Sequence, residues 1–297
     1  MEESENFSAN LAVIFSNYDM NILLTGGTGF IGQALTKAFT EKQWQVTILS
    51  RSAKSSPNRY VSYLQWDGKK MPLGMGMYDV VINLAGASIA ESAWTSKYKE
   101  VLRDSRIHAT QACVDYINKS VQKPKLLISA SAIGFYGGAR DEKTPESASA
   151  GDDFLAVLSK EWEDVSQKAK CRIVNPRISV VLGNEGGAFP LMATAYNFFV
   201  GGKLGSGKQG FSWIHIDDVV KAFLFFVENE QIEGPVNLAA PELVNQKTFS
   251  SALASAMGRP DVIPAPKFAL NMIFGERSIL FCGGLWAVPQ KLQEVGF

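Results

Sequence analysis

The sequence contains few residues that form disulfides or bind metals: three cysteines and two histidines among 297 residues. The cysteines lie far apart, form no CxxC pair and are odd in number: Cys113, Cys171 and Cys282. Neither a disulfide framework nor a zinc site is therefore indicated. His108 and His215 have no ligand cluster beside them in the sequence, so we predict no metal site. Free cysteines are typical of a reducing compartment, and we expect a cytoplasmic protein.

The sequence also lacks net charge and long hydrophobic runs. Lysine plus arginine and aspartate plus glutamate both number 29, so no global field would attract nucleic acid or an acidic membrane. The apolar run at residues 11–15 is too short to span a bilayer, and the acidic start of the chain is unlike a secretory signal. We expect residues 1–19 to form a loose N-terminal extension, because they match no part of the pattern that follows.

Short apolar runs alternate with amphipathic stretches from Asn21 onward. This alternation predicts a parallel sheet with helices on both faces. The predicted strands are 22–24, 45–49, 61–66, 80–84, 125–129 and 172–174, and the predicted helices are 33–41, 96–118, 154–168 and 217–229. The fold class is therefore α/β, with a Rossmann-type doubly wound sheet. We assign residues 20–180 to the main domain and residues 181–297 mainly to a smaller C-terminal region, interleaved with the last strands.

A glycine-rich segment, Thr-Gly-Gly-Thr-Gly-Phe-Ile-Gly at residues 25–32, joins the first predicted strand to the first predicted helix. A strand before and a helix after are the context that a dinucleotide fingerprint requires. Glycines permit the tight turn, the approach of a pyrophosphate and close helix packing, while the helix N-terminus offers free N–H groups to negative charge. The predicted contacts to the cofactor are Gly26, Thr28, Gly29, Phe30, Ile31 and Gly32.

The end of the second predicted strand indicates which dinucleotide is bound. A carboxylate there hydrogen-bonds the ribose of NAD, whereas an arginine accommodates the additional phosphate of NADP. This chain has Ser50 and Arg51 at that point and no carboxylate between residues 50 and 58. NADP is favoured as the cofactor, because guanidinium pairs well with phosphate. The alternative is that Arg51 is a solvated surface residue.

Further motifs resemble those of a known family. Asn-Leu-Ala-Gly at 83–86, Ser-Ala-Ser-Ala-Ile-Gly-Phe-Tyr-Gly at 129–137 and Trp-Ile-His-Ile-Asp-Asp at 213–218 resemble the extended and atypical short-chain dehydrogenases/reductases. Asp-Ser-Arg at 104–106, Trp-Glu at 162–163 and Gly-Pro-Val-Asn at 234–237 are similar to the subfamily of nucleoside-diphosphate-sugar epimerase-like proteins. The resemblance implies an NADP-dependent epimerase or reductase, acting by hydride transfer at a sugar carbon of a small-molecule substrate such as a nucleotide sugar.

The resemblance also implies the layout of a binding site. The glycine loop would hold the pyrophosphate, and Ser50 and Arg51 would hold the adenosine phosphate. The adenine side and the remainder of the cofactor site would be lined by Leu84, Ala85, Gly86, Glu100, Arg106 and Val181. Asp67 would contact adenine, or else it is a plain surface aspartate. Relatives usually continue past a Gly-Phe pair such as the one at 296–297, so the last piece of the substrate region is expected to be missing.

The sequence departs from the family in its acid–base residues. Typical members carry Tyr-x-x-x-Lys, in which the lysine lowers the pKa of the tyrosine so that the phenolate can take a proton as hydride leaves. This sequence contains no such pair. We predict that Ser131, or as second choice Ser129, contacts a substrate hydroxyl or carbonyl. Tyr136 replaces the missing phenol if its ring turns into the cleft; otherwise it is a packed wall residue. The alternative function is a non-catalytic NADPH-binding regulator or scaffold.

Overall fold

The computed structural model describes residues 20–297, so the extension predicted at residues 1–19 lies outside the described residues. In the first part of the chain, strands alternate with helices. The strands are β1 (Asn21–Thr25), β2 (Gln45–Ser50), β3 (Val61–Gln65), β4 (Val80–Asn83), β5 (Leu126–Ser129), β6 (Ser131–Ala132), β7 (Ala139–Thr144) and β8 (Arg172–Ile178). The helices are α1 (Phe30–Glu41), α2 (Ser96–Lys119) and α3 (Phe154–Ser166), and a 3-10 turn covers Ile133–Tyr136.

The second part of the chain has shorter elements. Its strands are β9 (Val180–Gly183), β10 (Gly186–Gly187), β11 (Trp213–His215), β12 (Gly234–Leu238) and β13 (Gly284–Ala287). Its helices are α4 (Phe189–Asn197), α5 (Ile216–Glu228), α6 (Gln246–Met257), α7 (Lys267–Phe274), α8 (Ile279–Cys282) and α9 (Gln290–Glu294), with a 3-10 turn at Gly275–Ser278.

The main sheet is parallel and has the strand order β3-β2-β1-β4-β5-β8-β12, with β6 paired to β8. From β1 the chain proceeds outward to β3, then returns to β4 on the other side of β1 and continues outward to β12. The direction therefore reverses between β1 and β4. In open α/β sheets such a reversal leaves a crevice at the carboxyl ends of the strands, where ligands bind. The predicted doubly wound α/β class is confirmed.

Two small sheets flank the main one. In the first, β9 pairs with β11 in parallel and with β10 in antiparallel orientation. In the second, β13 near the end of the chain pairs with β7. The strand β12 lies at the edge of the main sheet beside β8, so the C-terminal part of the chain contributes a strand to that sheet.

The hydrophobic core has one layer on each face of the main sheet. Successive strand residues point to opposite faces. Ile22 and Leu24 therefore pack in one layer with Phe223 of α5, whereas Leu23 packs in the other with Cys113 of α2. This burial fixes the strands whose carboxyl ends form the crevice. Over residues 20–297, no helix is both long enough and apolar enough to cross a membrane.

Two predicted boundaries were wrong by three residues or more. The first helix begins at Phe30, three residues before the predicted start at Gln33, because the last glycine of the loop already lies within the helix. The strand predicted at 172–174 extends over Arg172–Ile178. Its second half contains the buried polar residues Asn175 and Arg177, which interrupt the apolar pattern.

Candidate functional site

The glycine turn after β1 lies directly against the end of β4. Gly26 has a φ of 69°, and a Cβ on this residue would lie 2.6 Å from the Leu84 carbonyl oxygen. A Cβ on Gly32 would lie 2.5 Å from the Cα of Gly27. Gly26 thus combines a left-handed backbone with a close backbone approach, and both favour glycine. The turn therefore forms one border of the crevice at the switch point between β1 and β4.

Helix α1 begins with its first-turn N–H groups available to a ligand. Gly29 is its N-cap residue, and no side chain caps the helix. The first N–H groups of a helix have no partner within it, and the helix dipole favours an anion at this end. Thr28 and Gly29 are exposed, while Phe30 and Ile31 are half-buried. An anionic ligand can therefore reach the turn.

Phe30 connects the glycine turn to the hairpin of β9 and β10. A Cβ on Gly183 would lie 2.7 Å from its ring, and a Cβ on Gly186 would lie 2.8 Å from it. A Cβ on Gly187 would lie 2.5 Å from the carbonyl oxygen of Val181. The structure therefore brings two of the predicted site residues, Phe30 and Val181, together beside the turn.

The end of β2 carries an unpaired hydroxyl and an unpaired cation. Ser50 is buried, and its hydroxyl has no hydrogen-bond partner among residues 20–297. Arg51 is exposed, and no carboxylate in the described part of the chain pairs with it. Asp67 differs, because it accepts hydrogen bonds from the backbone N–H of Lys69 at 2.8 Å and of Lys70 at 3.1 Å, which lower its pKa. That carboxylate caps its own turn.

The end of β4 is fixed to the end of β1 by hydrogen bonds. The Thr25 hydroxyl donates to Asn83 Oδ1 at 2.7 Å and accepts from the N–H of Ala85 at 3.2 Å. Leu84 and Ala85 are half-buried beside the glycine turn, and Gly86 is exposed. The three residues predicted to line the adenine side of the cleft therefore follow one another along the crevice.

Arg106 on α2 is a largely enclosed cation close to Gly86. A Cβ on Gly86 would lie 3.1 Å from its guanidinium carbon, and its guanidinium lies 5.2 Å from the centre of the Trp162 ring. Burial lowers the pKa of Arg106 to about 10, and no carboxylate within residues 20–297 pairs with it. Such a cation can bind an anionic ligand, because buried charge is stable only when it is paired. Glu100, on the same helix, is exposed.

Ser131 lies in a buried polar network at the end of the main sheet. It is 3% exposed, and its Oγ donates to Glu163 Oε1 at 2.6 Å. Arg177, the partner of Ser131 in the β6–β8 pairing, binds the same carboxylate through Nε at 2.9 Å and Nη2 at 2.8 Å. An ionised carboxylate only accepts hydrogen bonds, so the Ser131 proton points to Glu163. The Ser131 oxygen can then accept a further hydrogen bond but not donate one.

Tyr136 belongs to the same network and is 1% exposed. Its hydroxyl donates to Asn237 Oδ1 at 2.7 Å and accepts from Arg177 Nη1 at 2.9 Å. Burial raises the pKa of the phenol, so the hydroxyl stays protonated at neutral pH. The predicted catalytic role requires the ring of Tyr136 to turn into the cleft. In this structure the ring is instead buried and packed.

One face of α3 lies against the turn that follows Ser131. A Cβ on Gly134 would lie 3.3 Å from Leu155 Cβ and 3.9 Å from Ser159 Oγ. Leu155 and Ser159 have the spacing of a Tyr-x-x-x-Lys pair, but neither can exchange a proton near neutral pH. Lys160 is exposed and pairs with Asp164 at 2.7 Å. Helix α3 therefore presents no tyrosine–lysine pair to this turn.

Three residues of the site were not predicted from the sequence: Ser159, Glu163 and Arg177. Arg177 could have been suspected, because it closely follows the apolar residues that begin β8, and a buried charge needs a partner. Glu163 has other charged residues on both sides in its helix, so the sequence does not single it out. Their pairing joins α3 to β8 and is a tertiary contact. Ser159 has no signal in the sequence that separates it from other serines.

A groove of about 530 Å³ separates the turn after Ser131 from the C-terminal helices. Gly138 and Asp153 line one side, and Lys267, Asn271 and Cys282 line the other. A second groove, of about 570 Å³, lies at the amino ends of the strands. Ligands of parallel sheets bind at the carboxyl ends, so the first groove is the better candidate for a substrate. Residues 20–297 contain no cluster of three or more histidine, cysteine or acidic side chains that could hold a metal.

Comparison with known proteins agrees with this architecture. The chain is similar to the epimerase family protein YfhF of Bacillus subtilis, with 41% identity over 94% of this chain and 93% of that protein. It is also similar to the crystal structure of the human epimerase family protein SDR39U1 with NADPH, with a TM-score of 0.86, 31% identity and 94% of each chain covered.

A third match is the structure of the nucleoside-diphosphate sugar epimerase from Corynebacterium glutamicum, with a TM-score of 0.76 and 30% identity. The match covers 99% of this chain and 58% of the Corynebacterium glutamicum chain. A domain of unknown function, DUF1731, matches residues 265–297, and the NAD dependent epimerase/dehydratase family matches residues 22–239. The chain therefore belongs to the NAD dependent epimerase/dehydratase family.

Proposed function

We propose that the chain binds NADP(H) along the carboxyl edge of the main sheet. The observation that carries this proposal is the glycine turn, where Gly26 lies so close to Leu84 that a Cβ would not fit and α1 begins without a capping side chain. These features suit a pyrophosphate held by backbone N–H groups. The human relative whose structure contains NADPH supports the same cofactor.

The end of β2 supports NADP over NAD. Ser50 and Arg51 would bind the additional phosphate of the adenosine ribose, because one offers an unpaired hydroxyl and the other an unpaired guanidinium. A carboxylate, which would favour NAD at this position, is absent from residues 50–58. Leu84, Ala85, Gly86, Glu100, Arg106 and Val181 would complete the cofactor site.

We further propose that the substrate is a nucleoside-diphosphate sugar and that the chain is an epimerase or a reductase. Bound NADP(H) would supply or accept a hydride at a sugar carbon. Ser131 would accept a hydrogen bond from the reacting hydroxyl, since its own proton is donated to Glu163. Tyr136 would serve as proton carrier only after its ring leaves Asn237 and Arg177. The name of the relative from Corynebacterium glutamicum supports this substrate class.

The region 181–297 would bind most of the substrate, and the groove beside Lys267 and Asn271 is its proposed position. Residues 20–180 would bind the cofactor. The free cysteines remain consistent with a cytoplasmic location, which we propose for the protein.

The second candidate function is NADPH binding without turnover, in a regulator or scaffold. The observation that favours it is the face of α3, where Leu155 and Ser159 stand at the spacing of a tyrosine and a lysine. A protein of this kind would keep the cofactor site but would have no group that carries the proton of a hydride transfer.

Product analysis separates the two functions. NADP-loaded protein is incubated with UDP-, GDP- and dTDP-sugars, and the products are identified by mass spectrometry and NMR. The enzyme is expected to epimerise or oxidise one sugar, and Ser131→Ala is expected to abolish this turnover. Ser62→Ala, which changes an exposed serine on β3, serves as the matched control and is expected to behave as wild type. Tight NADP binding without any product would favour the second function.

A further inference from the structure

Six large apolar side chains are exposed close together in the C-terminal region. Two of them belong to the turn that follows α4, where Phe198 is 74% and Phe199 is 54% exposed. The other four are at least 46% exposed: Leu191, Val200, Val262 and Ile263. We call these six residues the apolar patch. Single exposed apolar residues are ordinary, whereas a contiguous group of them marks a surface that binds another molecule.

The apolar patch is built from two parts of the chain that contact each other. Leu191 and Phe198 are seven residues apart, which is about two helical turns, so they lie on the same face of α4. The N–H of Ile263 donates to the carbonyl of Gly201 at 3.4 Å. The segment that carries Ile263 therefore lies directly beside the turn 198–200.

Phe199 and Arg259 have features that a single chain does not account for. Phe199 has a left-handed backbone with a φ of 60°, which bulky residues rarely adopt and which is typical of functional sites. The Arg259 guanidinium lies 5.0 Å from the centre of the Phe199 ring. Its Nε is buried and has no hydrogen-bond partner among residues 20–297. Buried donors in native structures nearly always have a partner, so an acceptor from another molecule would complete this surface.

Asp261, two residues after Arg259, carries the opposite charge. Its carboxylate accepts hydrogen bonds from Ser250 Oγ at 2.8 Å and from Ser251 Oγ at 2.7 Å. In the described part of the chain, no ion pair includes Arg259 or Asp261. A symmetric dimer brings the same surface of both copies together, so that two different residues of the surface contact each other twice. The charges beside the apolar patch are therefore complementary to a second copy of the same surface.

The area of the apolar patch also suits a dimer. A standard interface removes about 800 Å² from each partner, of which roughly 450 Å² is apolar. Phe198 and Phe199 alone expose roughly 250 Å², because an aromatic side chain has about 150–250 Å² of surface. The four aliphatic side chains add an area of the same order. Phenylalanine and arginine are also typical of the centre of protein interfaces.

We propose that the apolar patch is the contact surface of a symmetric homodimer. The two copies bury their Phe198 and Phe199 rings against each other. Arg259 of each copy pairs with Asp261 of the partner subunit, which supplies the acceptor that Arg259 Nε lacks within its own chain. A different protein as the occupant would not require opposite charges that match each other across a twofold axis.

Sedimentation velocity over a range of protein concentrations measures the oligomeric state. Wild type is expected to dimerise. Phe198→Glu is expected to raise the dissociation constant of the dimer at least tenfold, because it places a charge in the apolar contact. Leu73→Glu, which replaces a fully exposed leucine outside the apolar patch, serves as the matched control and is expected to dimerise as wild type does. Circular dichroism confirms that both variants are folded.

Charge reversal tests the reciprocal pairing. Arg259→Asp and Asp261→Arg are each expected to weaken the dimer, because like charges then meet across the axis. An equimolar mixture of the two variants is expected to associate as wild type does, since opposite charges meet at both contacts. A mixture that does not associate overturns the pairing. A wild-type chain that stays monomeric, or Phe198→Glu that dimerises as well as wild type, overturns the proposal.

Discussion

Gly26 has a left-handed backbone and lies next to the Leu84 carbonyl. A residue with a Cβ would conflict with both features. Gly68 has a similar φ of 84°, but no atom lies within 4 Å of the position that its Cβ would take. A comparison of substitutions at the two glycines therefore separates the effect of backbone strain from the effect of steric contact. At Gly68 a substitution brings only the strain, whereas at Gly26 it also pushes β4 away from the glycine turn.

Gly26→Ala is expected to weaken NADPH binding at least tenfold and to lower the melting temperature, because the Cβ displaces the turn that would hold the pyrophosphate. Gly68→Ala costs about 1–2 kcal/mol of folding free energy through strain alone and should leave NADPH affinity unchanged. Calorimetry and NADPH titration of both variants give the comparison. Equal affinity in Gly26→Ala and wild type would show that the cofactor does not use this turn.

Among the strands and helices, the sequence predicted those with a continuous apolar run or a regular period. The strands β1, β2, β4 and β5 are buried apolar runs, and their predicted bounds agree within one residue. The sequence did not predict β6 or β10, because strands of two residues carry no measurable pattern, and it did not predict β13, which pairs with a distant part of the chain. The pairing of β13 with β7 joins residues about 140 positions apart, which local pattern cannot indicate.

The candidate site divides in the same way. The glycine turn and Ser50-Arg51 were predicted, because each depends on residue type within a short segment. Glu163, Arg177 and the burial of Tyr136 were not, because they depend on how α3, β6 and β8 pack together. The network they form is a property of three elements rather than of one motif.

The Glu163–Arg177 pair is a buried ion pair between α3 and β8, and both side chains are at most 10% exposed. Arg177→Met leaves a buried carboxylate without its partner, which is expected to cost about 3–5 kcal/mol of folding free energy. The double variant Glu163→Leu/Arg177→Met removes both charges and is expected to be more stable than Arg177→Met alone. Urea denaturation measures both. A single variant as stable as wild type would contradict the energetic role given to this pair.

The C-terminal segment is fixed to the main sheet through Asn237 of β12. Its side-chain amide donates to the carbonyls of Thr144 at 3.1 Å and Val288 at 2.9 Å. The buried carboxylate of Glu146 accepts from the N–H of Asn237 at 3.0 Å. The segment matched by DUF1731 thus shares a buried network with Tyr136, Arg177 and Ser131. Residues 20–180 and the C-terminal region are therefore expected to unfold together.

Two thiols are expected to make the stability of this cooperative unit depend on pH in the alkaline range. Burial raises the pKa of Cys113 to about 12 and that of Cys171 to about 11, from a value of 9.0. Above pH 9 the unfolded chain loses these protons while the folded chain retains them. The free energy of unfolding therefore decreases as the pH rises toward the pKa values of the folded state, so the protein becomes less stable. The slope is at most about 1.4 kcal/mol per pH unit for each thiol. Urea midpoints between pH 8.5 and 10.5 should fall less steeply in Cys113→Ala/Cys171→Ala than in wild type, and parallel slopes would contradict the assignment.

We propose that the carboxyl edge of the sheet binds NADP(H), with Arg51 on the adenosine phosphate. Isothermal titration calorimetry of the wild-type chain and of Arg51→Ala, each with NADPH and with NADH, tests this binding. We expect wild type to bind NADPH more tightly than NADH, and Arg51→Ala to lose about tenfold or more in NADPH affinity while NADH is unaffected, because a charge-assisted hydrogen bond is removed. Equal affinity of wild type for the two dinucleotides, or no binding of either, would contradict the claim.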